Sequence, residues 1–187
     1  CCRNRRDLVL SGYDLYRIAR RLGLPPRLTA DAFCKQEFAP QTLLPAVVLR
    51  PNARTGNCPF FEADACTIHA AHPLGQAIDP ATAAMEYYVQ LPLCGARVSA
   101  QEQRTLQNYL DDAAITARAG IDARWAVVCT QLSDKLQQAG GRENPRYLPA
   151  ARRIARALYF DYSIQDDFYP QFNANTQALW PLLDKML

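Results

Sequence analysis

Apolar residues along this chain recur mostly at helical spacing. Ser11-Gly-Tyr-Asp14 has the form of a capping box: Ser11 can accept from a first-turn amide, and Asp14 favours the positive helix end. Leu15, Ile18, Ala19 and Leu22 then form one apolar stripe. Gly23 is placed to end that helix, and Pro25-Pro26 forbid its continuation. The pattern predicts a second short helix over residues 29–38, carrying Phe33 and Cys34, and a short strand over Ala46-Val-Val-Leu49 closed by Pro51. Ser99-Ala-Gln-Glu102 is a further capping box, opening a helix that buries Leu106, Tyr109 and Leu110. Trp125, Val128, Leu132 and Leu136 mark a long amphipathic helix ended by Gly140-Gly141. Pro149 starts a helix with Ile154 and Leu158. A last helix begins near Asp166 and turns Phe168, Phe172, Leu179 and Leu183 inward, with Pro181 kinking or restarting it.

Between these helical stretches, residues 51–80 read differently. Asn52, Gly56, Asn57 and Pro59 are turn formers, Phe60-Phe61 is a small apolar patch, and residues 62–65 form a turn that brings Cys58 toward Cys66. A segment of this kind seldom folds by burial alone, and a bound metal supplies the missing free energy. No repeat of fixed period stands out along the chain. The expected fold is mainly α: an irregular helical domain with a cysteine-rich metal-binding loop and at most a small β element. We expect one domain over residues 1–187, with 1–98 as the cysteine-bearing part and 99–187 as the helical part.

Composition narrows the function. A chain of 187 residues, 49% hydrophobic and 21% charged, can bury a core without covalent staples. No apolar run approaches the roughly 18 residues of a membrane span, and no signal-peptide core is present. The net charge is +3, with Arg3, Arg5, Arg6, Arg17, Arg20, Arg21 and Arg27 crowded near the front. A solvated helix face with local ion pairs accounts for them, because a nucleic-acid surface needs a stronger basic excess with interleaved aromatics. Eight glycines leave no phosphate-cradling loop, and no Gly-x-Ser-x-Gly elbow occurs.

The seven cysteines are Cys1, Cys2, Cys34, Cys58, Cys66, Cys94 and Cys129. Their odd number and irregular spacing argue against a fully paired secreted framework and for thiolate ligation in a reducing compartment, the cytoplasm. Adjacent Cys1 and Cys2 pair with each other only under strain, yet both can point at one metal centre. The strongest group joins them to Cys58-x7-Cys66-x2-His69. Thiolates suit iron–sulfur clusters and zinc alike, and Cys66-Thr-Ile-His69 offers the mixed sulfur–nitrogen donors that zinc sites use. A chain opening on Cys-Cys leads us to expect residues upstream of Cys1. Cys129 lies one turn from Trp125 and Leu132 on an apolar helix face and reads as a buried small hydrophobe. A Cys–His dyad of Cys58 or Cys66 with His69 or His72 matches no catalytic motif. The paired acids Asp111-Asp112 and Asp166-Asp167 sit at a helix exit and a helix start, where end electrostatics explain them.

Four strings together resemble the YkgJ-type cysteine-cluster family: Cys2-Arg-Asn-x-Arg-Asp7, Leu10-Ser-Gly-Tyr-Asp-Leu-Tyr-Arg-Ile-Ala-Arg20, Cys58-Pro-Phe-Phe61, and Cys66-Thr-Ile-His-x-x-His-Pro73. The resemblance covers roughly residues 1–110 and implies a zinc- or iron-chelating domain, related to one found in flagellin lysine-N-methylases. By the same resemblance, Cys94 in Leu91-Pro-Leu-Cys-Gly95 and Cys34 match further family cysteines, and other cysteines stand just before the Cys-Cys pair. The chain departs from the family after His72-Pro73: Gln76 stands where a cysteine is usual, Ala77 where an arginine is, and Asp79 where an aromatic is. The expected ligands are therefore Cys1, Cys2, Cys58, Cys66, Cys94, Cys34 and His69. The expected cofactor is an iron–sulfur cluster, with zinc as the alternative. The expected role is redox or accessory to protein modification, on a protein partner or substrate; the alternative is a zinc-stabilised scaffold that presents an interaction surface.

Overall fold

The computed structural model describes residues 8–62, 65–66, 74–79, 81–89, 105, 108 and 119–187. Among these the chain is mostly helical, with small antiparallel sheets. The backbone divides into two compact units, each made of two stretches of chain: Arg6–Arg50 with Val128–Leu187, and Cys1–Arg5 with Pro51–Val127.

In the unit containing Arg6–Arg50, strand β1 (Val9–Leu10) leads into helix α1 (Gly12–Leu22). The capping box forms as expected. The Asp14 amide donates to Ser11 Oγ at 3.1 Å, and the Ser11 amide donates to Asp14 Oδ2 at 3.2 Å, so two otherwise orphaned donors are satisfied. Gly23, at φ 65°, ends the helix in a left-handed turn closed by Leu24 N–H donating to Ala19 C=O at 3.0 Å. The stripe then buries Leu15, Ile18 and Ala19, while Leu22 at the helix end stays 40% exposed.

The second expected helix is shorter and earlier than the pattern predicted. Helix α2 spans Pro26–Phe33, with Pro26 in its first turn where no amide is needed. Cys34–Phe38 is instead strand β2, and it pairs antiparallel with β3 (Pro45–Leu49) from Cys34↔Leu49 to Phe38↔Pro45. Lys-Gln-Glu is helix-prone by composition; cross-strand pairing with the buried Val47 and Val48 outweighs that local preference. The sheet order is β1-β3-β2, so the expected short strand lies at its centre.

Helix α3 (Ala119–Gln138) carries Val128, Leu132 and Leu136 in one fully buried row and ends before Gly140, at φ 94°. Helix α4 (Tyr147–Ala155) starts two residues before Pro149, which therefore falls within the first turn, where its missing donor costs nothing. The chain continues through a π-turn over Arg156–Phe160 that buries Leu158, Tyr159 and Phe160. Helix α5 (Phe168–Met186) runs unbroken through Pro181, so no restart occurs there. Pro181 and Gln177, the residue whose carbonyl loses its intrahelical donor, are both exposed; solvent can replace the missing bond. Phe168 joins α5 to α1 and the π-turn, with ring centroids 5.3 Å from Tyr13, 5.5 Å from Tyr16, 4.7 Å from Tyr162 and 5.5 Å from Phe172. The polar ends of that cluster are also satisfied: Tyr16 OH donates to Asp166 C=O and Tyr162 OH to Ala157 C=O, both at 2.6 Å.

The unit containing Pro51–Val127 holds two described hairpins. Strand β4 (Phe61–Glu62) pairs with β5 (Ala65–Cys66), and β6 (Leu74–Ile78) pairs with β7 (Met85–Val89). The ends of the turn expected over residues 62–65, Glu62 and Ala65, face each other in the register, and residues 63–64 between them lie outside the described residues. The helix expected from Ser99 onward, with Leu106, Tyr109 and Leu110, lies outside the described residues. Of that stretch, Asn108 N–H donates to Thr105 Oγ1 at 3.2 Å.

Candidate metal centre

Cys58 follows a loop that satisfies its own backbone. Asn52 N–H donates to Asn57 C=O at 2.7 Å, and Gly56 N–H to Asn52 C=O at 2.8 Å. The Asn52 side chain accepts from the amides of Arg54 and Thr55 at 3.0 and 3.2 Å, an Asx turn of the kind its sequence signalled. Gly56 sits at φ 71°, which a side chain would resist. The loop delivers Cys58 to a buried position, 4% exposed. Among the residues of this unit whose side chains are described, Cys58 alone is buried.

A turn at Pro59-Phe60 then leads into β4, and the register Phe61↔Cys66 returns Cys66 opposite a residue three positions after Cys58. The hairpin places the Cys66 backbone opposite Phe61, and the turn at Pro59-Phe60 separates that pair from Cys58. Cys1, Cys2, His69, His72 and Cys94 lie outside the described residues. No group of three or more His, Cys, Asp or Glu side chains stands within reach of a common ion among the described residues.

Cys34 and Cys129 belong to the other unit. Cys34 opens β2 as a buried residue, and burial pushes its thiol up to about 11 against the opposing pull of the Arg50 guanidinium. Cys129 lies on α3, where burial pushes its thiol up to about 12. Cys129 is half-buried rather than fully buried as its reading as a small hydrophobe expected. Position Gln76 is the third residue of β6, paired with Tyr87.

Of the arginines near the front, Arg3, Arg5 and Arg6 lie outside the described residues, and Arg17, Arg20 and Arg27 have close neighbours. Arg17 stands over the Tyr13 ring at 5.8 Å, Arg20 donates to Tyr16 OH at 3.3 Å, and Arg27 lies 4.9 Å over Phe160 while pairing with Asp31 at 3.2 Å. Of the paired acids, Asp111-Asp112 lie outside the described residues; Asp167 stands at the start of α5, and the Gln171 side chain donates to the backbone carbonyls of Asp166 and Asp167, both at 3.1 Å. No described helix is long and apolar enough to cross a membrane. Compared with known families, curated proteins and solved structures, the chain matches none.

Proposed function

We propose that this chain carries a metal centre, an iron–sulfur cluster on the thiolates of Cys1 or Cys2, Cys58, Cys66 and Cys94. The resemblance to the YkgJ-type cysteine-cluster family implies such a centre, and one structural observation supports it most. In a unit whose other described side chains are half-buried or exposed, the buried one is a thiol, set between a self-bonded loop and a short hairpin that contains a second cysteine position. Soft thiolates on turn-rich backbone are the donors that iron–sulfur clusters take. The proposed ligand set leaves out Cys34 and Cys129, which belong to the other unit. A cluster so held serves redox chemistry, or assists modification of a protein partner, in the cytoplasm.

The spacing Cys66-Thr-Ile-His69 favours a second reading: a structural zinc with mixed thiolate and imidazole donors, stabilising a scaffold without catalysis. Both readings make Cys58 and Cys66 ligands. In anaerobically purified protein, Cys58→Ser and Cys66→Ser should each lose metal, while Cys129→Ser should keep it. Full metal content in the Cys58→Ser and Cys66→Ser variants would overturn both readings. His69→Ala separates them, because it depletes a zinc site and spares a cluster held by cysteines alone.

A further inference from the structure

Strands β2 and β3 are five residues each and are joined by residues 39–44; strands β6 and β7 are also five residues each and are joined by residues 79–84. The two hairpins coincide position for position at an offset of 40. Cys34↔Leu49 answers to Leu74↔Val89, and Phe38↔Pro45 answers to Ile78↔Met85.

The connections close with the same bonds. Ala39 N–H donates to Leu44 C=O at 2.9 Å, and Asp79 N–H donates to Ala84 C=O at 2.9 Å. Leu43 N–H donates to Ala39 C=O at 2.9 Å, and Ala83 N–H to Asp79 C=O at 2.7 Å. The Leu44 amide donates to Thr42 Oγ1 at 3.4 Å, and the Ala84 amide to Thr82 Oγ1 at 3.2 Å.

A left-handed backbone at a residue with a side chain is uncommon and costs energy. Among the described residues, two non-glycine positions adopt it: Leu43 at φ 61° and Ala83 at φ 58°. They are the same position of the two hairpins. Strand length, register, three hydrogen bonds and this strained residue all agree. The register, the closing hydrogen bonds and the left-handed residue go together in one type of connection, and both hairpins use that type among the several lengths and turn types open to antiparallel strands.

The sequence hides the correspondence. Only Gln36 and Gln76, Pro40 and Pro80, and Thr42 and Thr82 are identical across the two segments. Thr42 and Thr82 supply the loop bonds above, and the two prolines fall at one place in the two connections. The remaining identity bears on the metal centre. Gln36 is an exposed residue of β2 paired opposite Val47, and the same register gives Gln76 opposite Tyr87.

We infer that residues 74–89 are a second copy of the hairpin formed by residues 34–49, and that Gln76 belongs to that hairpin rather than to the ligand set. The first clause stands alone; the second rests on the proposed metal centre. The copy sits in the cysteine-bearing unit, so it supplies that unit with a sheet element already suited to this chain. Gln76 is then a residue retained from the hairpin pattern, and the centre draws on cysteines elsewhere.

The test grafts one connection onto the other in the full chain. Replacing residues 79–84 by Ala-Pro-Gln-Thr-Leu-Leu, the sequence of residues 39–44, should leave amide exchange of β6 and β7 unchanged and move the unfolding midpoint by less than about 3 °C. A control graft of the same six residues with the proline and threonine exchanged should lose protection in both strands on the order of tenfold. Loss of protection in the first graft, or equal protection in both, would overturn the copy. Gln76→Ala should keep the metal content of the parent chain, and loss of metal would return Gln76 to the ligand set. A parent chain without metal would remove the ligand clause together with the metal reading, and the grafts would still decide the copy.

Discussion

In the unit formed by Arg6–Arg50 and Val128–Leu187, Phe172, Leu15, Leu132, Leu136, Ile154, Leu158 and Leu183 are all essentially excluded from solvent. In the unit formed by Cys1–Arg5 and Pro51–Val127, the described side chains contribute one buried residue, Cys58. The first is held by apolar burial, with buried hydroxyls satisfied by backbone carbonyls, as Thr176 Oγ1 donates to Phe172 C=O at 2.8 Å and Tyr162 OH to Ala157 C=O at 2.6 Å. The second is held, where it is described, by backbone and Asx hydrogen bonds in turns and hairpins. Such bonds largely replace bonds to water and contribute little net stability each. The thiolate–metal bonds proposed for this unit would add free energy on a scale that turns cannot.

The comparison can be broken most severely in the apolar core. Phe172→Ala removes the ring that stacks on Phe168 and should cost about 3–5 kcal/mol, read as a large fall in the denaturant midpoint. The loss should appear in the transition of the helical unit. An equal loss of protection across Asn52–Cys66 would mean that the two regions are stabilised by one common core. A smaller effect is expected at the start of α1. Ser11→Ala leaves the Asp14 amide without its side-chain acceptor and should destabilise by about 1 kcal/mol, again in the helical unit alone.

The smallest effect concerns pH. Burial raises the Cys129 thiol from its ordinary 9.0 to about 12, so the folded state favours the neutral form. Its contribution is complete below pH 9.0 and is lost as pH rises toward 12. Compared with Cys129→Ala, the parent chain should lose stability above that point, by up to about 1.4 kcal/mol for each pH unit. Parallel urea titrations of the two chains at increasing pH would show it. A constant difference between them across that range would contradict the burial of this thiol.

What was legible in the sequence follows the same division. Helix α1 could be read almost to the residue, because Ser11, Asp14, Gly23 and Pro25 act within a turn or two of where they stand. The row Val128, Leu132, Leu136 was equally plain, since a 3.6-residue period needs no partner to be seen. Cys34–Phe38 was misread as helix because its strand character comes from β3, across a connection that local preference does not reveal. The β6–β7 hairpin escaped notice for a related reason: Leu74-Gly-Gln-Ala-Ile carries small and polar residues, and the match to β2–β3 lies in backbone geometry rather than residue identity. The start of Pro181's helix was correct while its interruption was not, because whether a proline breaks a helix depends on which side the orphaned carbonyl faces. The loop leading to Cys58 was legible from Asn52, Gly56, Asn57 and Pro59, whereas the burial of Cys58 was not, because nothing in its immediate sequence is strongly apolar except Phe60-Phe61.

The central claim is that thiolate–metal bonds hold the cysteine-bearing unit. Iron, zinc and acid-labile sulfide, measured on the anaerobically purified full chain together with its visible spectrum, test it most directly. The account predicts a brown protein with iron and sulfide in stoichiometric amounts; zinc without sulfide would select the structural-zinc reading. A colourless chain with neither metal, and with β4–β5 amides as well protected as those of α1, would contradict it.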